Sequence, residues 1–216
     1  ALEPLQKSGA LGSRAYAALE TQILADTLQA APDGAALNTL WSQLPKAQRR
    51  PPTVVDAYAR RAAFFGLMLP AMDELESALR REWSPRLIET WGLLAGDDLE
   101  PRLRRAEAWL DVHPNDAHLL LALGRMCVRL KLWGKARQYL ERSLALEPVA
   151  GAWEALGDTF AGQGDAAEAQ RCYRNALAMT RGEAVRDTRS RTGGAIDTTV
   201  IAVEERDQHG VPRLRS

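Results

Sequence analysis

The sequence repeats itself about every 33 residues, and this periodicity constrains the fold more than any other feature. The clearest copy sets small residues among apolar ones at helical spacing; its positions are Trp153, Leu156, Gly157, Phe160, Ala169, Tyr173 and Ala176. A preceding copy, closed by a proline, has Leu120, Leu123, Gly124, Cys127, Ala136, Leu140, Ser143 and Pro148. Small residues recur at 59, 92, 124 and 157, so four copies of one structural unit are predicted.

The small and large residues of each copy predict two helices that cross closely. Gly124 and Gly157 remove a side chain where the first helix approaches the second. Leu140 and Tyr173 are then expected to fill the space between successive helix pairs. Gly134 is expected to form the turn between the two helices of its copy, because glycine is frequent in turns. Each copy is therefore a helical hairpin.

The order W-x2-L-G-x2-F, followed by A-x3-Y, resembles the tetratricopeptide repeat, a helix-turn-helix unit. We expect an all-α fold, a tetratricopeptide-like α-solenoid of stacked antiparallel helix hairpins that forms a right-handed superhelix. The expected organisation is a degenerate helix pair in 1–50, repeats in 51–180 (about 52–84, 85–116, 117–149 and 150–180) and a flexible C-terminal tail in 181–216. An alternating segment at 196–203 is expected to form a strand only against a partner edge.

Composition disfavours several classes of function. Lys plus Arg and Asp plus Glu both total 28, so the formal net charge is zero, and we expect no nucleic-acid partner. The sequence contains no glycine-rich phosphate cradle and no GxSxG, HExxH or CxxC motif, so an enzyme is not expected. Cys127 and Cys172 are expected to be buried free thiols, and no metal site is predicted.

In such an array the first helix of each hairpin lines the usual binding groove. The charged residues expected to face it are Asp56, Arg60, Arg86, Glu89, His118, Arg125, Arg129, Glu154 and Asp158. Arg125 and Arg129 lie one turn apart, with His118 two turns back, a pattern that could hold a carboxylate or another anion. The alternative is a solvated helix face whose charges pair with their neighbours.

Three residues are candidate ligands for a haem iron. His118 and His113 carry imidazoles, and Cys127 carries a thiol. Each has an ordinary alternative: His118 as a solvated or ion-paired residue, His113 as a turn or capping residue before Pro114, and Cys127 as a packing residue. No cofactor is expected, with haem as the possible exception.

A more specific resemblance is carried by the run EAWLDVHPNDAHLLLALGRMCVRLKLWGKAR, with LWSQLPKAQRRPPTVVDAYARRA and ETWGLLAGDD before it. Over about 15–180 the chain resembles the C-terminal region of HemY-type tetratricopeptide proteins of bacterial haem biosynthesis. The resemblance implies a non-enzymatic scaffold in a late step of protohaem synthesis, with haem-biosynthesis enzymes as partners. Direct binding of haem or a porphyrin is the alternative.

The same resemblance implies a location for the protein. HemY-type proteins carry membrane-spanning helices before their repeats, so the full-length protein is expected to be anchored in the inner membrane. This chain begins at Ala1 and contains no long apolar run, which fits the soluble portion of such a protein. The repeats are then expected on the cytoplasmic side.

Overall fold

The computed structural model describes residues 12–94, 99–185, 205–206 and 212–213. Its helices are α1 (Ser13–Gln29), α2 (Gly34–Gln43), α3 (Pro52–Phe64), α4 (Met68–Arg81), α5 (Pro85–Leu93), α6 (Leu99–Trp109), α7 (Ala117–Arg129), α8 (Trp133–Leu146), α9 (Ala150–Gly162) and α10 (Ala166–Thr180). Two short strands, β1 (Glu205–Arg206) and β2 (Pro212–Arg213), pair in antiparallel orientation. The segment 196–203 lies outside the described residues, as does most of the tail expected from 181 onward.

Local signals explain where several helices begin. The side chains of Asp33, Asp116 and Asp165 each accept a hydrogen bond from a backbone N–H in the first turn, at 2.7, 2.8 and 3.1 Å. Such caps satisfy amide groups that have no partner inside the helix. Pro52 and Pro85 each occupy the first position of their helix, where a missing N–H costs nothing. These residues fix the starts of α2, α7, α10, α3 and α5.

The chain divides into two compact units, 1–99 and 100–216. In the first unit α3 is the central helix, since it contacts α1, α2, α4 and α5. Its residues 54–59 are all buried, including Tyr58, whose ring stacks on Trp41 of α2 with centroids 4.1 Å apart. Such continuous burial is expected of a helix that is surrounded by neighbours. The hairpin of α3 and α4 therefore forms the middle of this unit.

In the second unit α7 pairs with α8, and α9 pairs with α10. Helix α9 also contacts both α7 and α8, so the second hairpin stacks on the first. Residues 119–124 of α7 are buried without interruption. Helix α6 joins this unit through Glu107, whose carboxylate accepts a 2.9 Å hydrogen bond from the hydroxyl of Tyr139 and forms an ion pair with Lys135. The core of this unit is therefore formed by two stacked hairpins, α7–α8 and α9–α10.

The close helix crossings predicted at two glycines are confirmed. A β-carbon built on Gly124 would lie 2.5 Å from Leu140, and one built on Gly157 would lie 2.5 Å from Tyr173. Real side chains do not approach so closely, so only glycine allows these helices to pack at this distance. Leu140 and Tyr173, which were expected between successive helix pairs, thus contact the glycine of their own hairpin.

The turn predicted at Gly134 is wrong. Gly134 lies inside α8, and the chain turns earlier at Lys131, which has a positive φ of 58°. The equivalent turns after α3 and α9 use Gly66 and Gly164, with φ of 78° and 84°. Glycine adopts this left-handed conformation without strain, whereas lysine adopts it only at a cost in energy. The prediction failed because the turn residue is a lysine and the nearest glycine lies three residues later, in the helix.

Candidate functional site

The charged residues expected in the groove fall into two groups, one in each unit. The unit 1 cluster is defined as Asp56 and Arg60 on α3 with Arg86 and Thr90 on α5. The α7–α9 face is defined as His118, Arg125 and Arg129 on α7 with Glu154 and Asp158 on α9. Each group is held by helices that pack against each other within one unit.

The unit 1 cluster is built around a buried carboxylate. Asp56 is 5% exposed and accepts a 2.8 Å hydrogen bond from Nε of Arg60. The hydroxyl of Thr90 donates to Asp56 and accepts from Nη2 of Arg60 at 2.6 Å. Nη1 of Arg86 lies 3.6 Å from the second oxygen of Asp56. The expectation that Asp56 faces the groove is wrong, because the aspartate is buried and the arginines cover it.

The two arginines of this cluster reach solvent. Their side chains are 44% exposed for Arg60 and 55% for Arg86. Glu89 lies one turn after Arg86 on α5 and is half-buried. Two guanidinium groups and one buried carboxylate leave one positive charge in excess among Asp56, Arg60 and Arg86. The cluster therefore presents donors for hydrogen bonds at its surface.

On the α7–α9 face, His118 contacts the end of its own hairpin and Arg125 contacts the next hairpin. Nε2 of His118 lies 3.4 Å from a carboxylate oxygen of Glu147, in the connection before α9. The half-buried guanidinium of Arg125 lies against Gly151 in the first turn of α9, where a β-carbon would collide with it. The contact of Arg125 with Gly151 brings α7 close to α9. The contact of His118 with Glu147 is of the kind expected if the charges pair with their neighbours.

The remaining three residues of the α7–α9 face are exposed: Arg129, Glu154 and Asp158. Asp158 is oriented by Tyr173, whose hydroxyl donates a 2.8 Å hydrogen bond to it. Loss of hydration raises the pKa of Tyr173 to about 12, and the hydrogen bond to Asp158 adds to the shift. The phenol therefore stays protonated and remains a donor at neutral pH.

Two of the candidate haem ligands, His118 and Cys127, lie on opposite sides of one helix. His113 lies in the turn after α6, where its backbone N–H donates to Trp109 at 2.8 Å. Cys127 is fully buried, and it lies nine residues after His118 on the same helix. At about 100° per residue, nine residues place the two side chains on opposite sides of α7. In the residues that the structure describes, no group of three His, Cys, Asp or Glu side chains could hold a metal ion.

Sequence reasoning missed three partners in these groups. Thr90, Glu147 and Tyr173 each contact an expected residue, yet none was expected to contribute to the binding surface. Thr90 offered one usable signal, since it lies one turn after Arg86 on the same helix face. The contact of Glu147 with His118 could not be predicted, because it depends on how the end of α8 lies against the start of α7.

The comparisons with known proteins come from a family model and from solved structures. A tetratricopeptide repeat model matches residues 152–186. A thermophilic TPR protein of Thermus thermophilus has a similar structure, with a TM-score of 0.57 and 24% identity over 76% of this chain and 89% of that chain. The fold is that of a tetratricopeptide repeat protein. This confirms the predicted all-α solenoid of helix hairpins.

Two further structures are similar at lower scores. MamA AMB-1 matches with a TM-score of 0.47 and 15% identity over 76% of this chain and 98% of that chain. MamA MSR-1 matches with a TM-score of 0.45 and 13% identity over 76% of this chain and 95% of that chain. No curated protein matches this chain by sequence. Among the described helices, none combines the length and apolar character that a membrane crossing requires.

Proposed function

We propose that this tetratricopeptide protein is a non-enzymatic scaffold that binds a partner polypeptide on the α7–α9 face. The observation that carries the proposal is the contrast between the two sides of these helices. Nine of the 13 residues of α7 and six of the 13 residues of α9 are buried, whereas the charged residues Arg129, Glu154 and Asp158 remain exposed. A rigid surface with exposed charges suits the recognition of another protein. Tetratricopeptide folds in general serve protein interaction.

The charges on this face suggest what the partner offers. Arg125 and Arg129 form a positive row on α7, and Glu154 and Asp158 form a negative row on α9. Residues four apart lie on the same face of a helix, so each row presents its two charges side by side. Arginine binds carboxylates in a planar, two-pronged geometry. A partner segment with acidic residues toward α7 and basic residues toward α9 would complement both rows.

The test is quantitative affinity capture with charge-reversed variants. The double variant Arg125→Glu with Arg129→Glu is expected to capture the partner less well. The matched control is Arg171→Glu with Arg174→Glu, because it makes the same charge change on exposed residues of α10. Circular dichroism checks that both variants fold. Equal capture by the two variants would argue against the α7–α9 face.

The resemblance to HemY-type proteins over about 15–180 supports a narrower proposal. The partners are then haem-biosynthesis enzymes, and the protein acts in a late step of protohaem synthesis. The full-length protein is anchored in the inner membrane, with this part on the cytoplasmic side. Capture from cells that express the full-length protein, with mass spectrometry of the eluate, tests this. Recovery of only unrelated proteins through the α7–α9 face would contradict the haem assignment and leave the scaffold proposal standing.

Direct binding of haem is the second candidate, favoured by one observation. His118 and Arg125 lie seven residues apart on α7, which places them two turns apart on the same helix face. A histidine can ligate the iron while an arginine binds a propionate. A haem titration with the purified chain should then shift the Soret band, and His118→Ala should abolish the shift while His113→Ala retains it. A titration without any shift rejects haem binding.

A further inference from the structure

The tip of the hairpin formed by α3 and α4 holds two large apolar side chains in solvent. Phe64 is 74% exposed and Leu69 is 79% exposed. They lie on either side of Gly66, whose φ of 78° turns the chain between the two helices. We propose that this α3–α4 tip, defined as residues 64–70, inserts shallowly into an anionic lipid surface. The proposal goes beyond the scaffold function, since the tip shares no residue with the α7–α9 face.

The other hairpins show that the fold does not require large apolar side chains at these positions. Three hairpins turn through a left-handed residue, which aligns the turns with one another; these residues are Gly66, Lys131 and Gly164. In the other two hairpins the positions equivalent to Phe64 and Leu69 are exposed and are polar or small; they are Arg129, Gly162, Gly134 and Ala167. The same turn is therefore made without a large apolar side chain at either position, so folding does not explain Phe64 and Leu69.

Two other apolar residues of the tip have a packing role. A β-carbon built on Gly34, in the first turn of α2, would lie 3.1 Å from Leu67 and 3.6 Å from Phe65. Both of these residues are half-buried. The ring of Phe64 meets the ring of Phe65 edge to face, with centroids 5.3 Å apart, and otherwise projects into water. Removing such surface from water is favourable, so the tip gains free energy where an apolar phase is offered.

The charge behind the tip suits anionic lipid headgroups. Residues 57–72 contain two arginines and neither Asp nor Glu. The guanidinium carbon of Arg61 lies 5.0 Å from the ring centroid of Phe64, so a positive charge lies behind the apolar end. The carboxylate of Asp33, before α2, accepts a hydrogen bond from the N–H of Ala36 at 2.7 Å. Apolar side chains beyond an arginine fit a membrane interface, where the guanidinium lies at the depth of the phosphates.

The size of the tip favours a lipid surface over a second copy of the chain. A stable protein interface buries about 1,200 Å² or more of surface. A large aromatic side chain buries only about 150–250 Å². Phe64 and Leu69 therefore supply a small part of such an interface. A lipid surface needs no matching pocket, because acyl chains move aside, and attachment through few side chains is weak and reversible.

The test follows the polarity-sensitive dye NBD on the whole chain, mixed with phosphatidylcholine vesicles that contain or lack phosphatidylglycerol. Phe64→Cys and Leu69→Cys place the dye at the tip. Val112→Cys is the matched control, because Val112 is 73% exposed in a turn of the other unit. The native Cys127 and Cys172 are buried and do not compete for the label. We expect a saturable rise in fluorescence at 64 and 69, quenched by lipids brominated on their acyl chains, and no rise at 112.

Co-sedimentation with the same vesicles measures binding without a label. Phe64→Ser with Leu69→Ser should lower the vesicle-bound fraction at least about fivefold, because the inserted apolar surface is lost. Val112→Ser should leave it unchanged. Phosphatidylglycerol should increase binding, because anionic headgroups attract Arg61.

Four results would each overturn the proposal. They are an equal dye response at 112, unchanged sedimentation of the double variant, equal binding with and without phosphatidylglycerol, and a response at 64 that rises with protein concentration when no vesicles are present. The last result would assign the tip to a second copy of the chain. None of these results bears on the scaffold proposal, because the vesicles contain no polypeptide.

Discussion

The ring of Tyr173 occupies the space in which a side chain on Gly157 would begin, since a β-carbon there would lie 2.5 Å from Cε1 of the ring. Gly157→Ala should therefore lower the free energy of unfolding by about 1–3 kcal/mol, as extra atoms do in a packed core. Gly134→Ala is the matched control. No atom lies within 4 Å of a β-carbon at Gly134, and the residue is helical. Alanine should stabilise that position by up to about 1 kcal/mol. Urea denaturation of both variants measures the contrast, and equal effects would contradict it.

The contact between Gly124 and Leu140 allows a double-mutant cycle. Gly124→Ala alone places a β-carbon 2.5 Å from Leu140 and should be destabilising. Leu140→Ala alone should cost about 2–5 kcal/mol, because it leaves a cavity in the buried hairpin. In the double variant the added methyl group enters that cavity. Its loss of unfolding free energy should therefore be at least about 1 kcal/mol smaller than the sum of the losses in the two single variants. Additive losses would show that the two residues do not share this space.

The left-handed turn after α7 predicts a stabilising substitution. The amide of Lys131 donates to Val128 at 3.0 Å, and the next amide, of Leu132, donates to Cys127 at 2.8 Å. This pattern closes many helices and favours glycine at the position that Lys131 occupies, where φ is 58°. Lys131→Gly should raise the free energy of unfolding by about 1 kcal/mol. The reciprocal change Gly164→Lys, in the equivalent turn, should lower it. A loss of stability in Lys131→Gly would contradict the account of this turn.

The close crossing of the two helices of a hairpin could be predicted from the sequence, because Gly124 and Gly157 have no side chain where the helices meet. The contacts of Leu140 and Tyr173 with these glycines were not predicted, since both residues were expected between successive helix pairs. The turn at Lys131 could not be predicted, since a lysine in a left-handed conformation carries no signal of its own. Gly134, at which the turn was predicted, lies in the next helix.

The candidate site was only partly predictable, for a different physical reason. Periodicity identifies the charged residues on one side of a helix, such as Arg60 and Arg86. It does not show how deeply each lies, so the burial of Asp56 was missed. The contact of Thr90 with Asp56 spans 34 residues and two helices, and it depends on how those helices are rotated. Such contacts depend on how the helices pack, which the spacing of residues along the sequence does not determine.

Burial of Cys172 gives a pH dependence of stability. Loss of hydration raises the pKa of this thiol from its ordinary 9.0 to about 11, so the folded protein holds the proton more tightly than the unfolded chain. The contribution to stability is complete below about pH 9 and is lost as the pH rises to about 11. Urea denaturation between pH 7 and 11 should show this decline. Cys172→Ala should reduce it, and an identical decline in that variant would contradict the assignment.

The most direct test of the scaffold proposal asks which side of the helices touches the partner in cells. A photo-cross-linking amino acid replaces Glu154, exposed on α9, or Gln170, exposed on α10, in separate variants. Irradiation should cross-link a partner polypeptide at position 154 and not at position 170. Adding Arg125→Glu and Arg129→Glu should remove the cross-link at 154. Cross-linking at 170 alone, or at 154 with the same yield after the charge reversals, would contradict binding on the α7–α9 face.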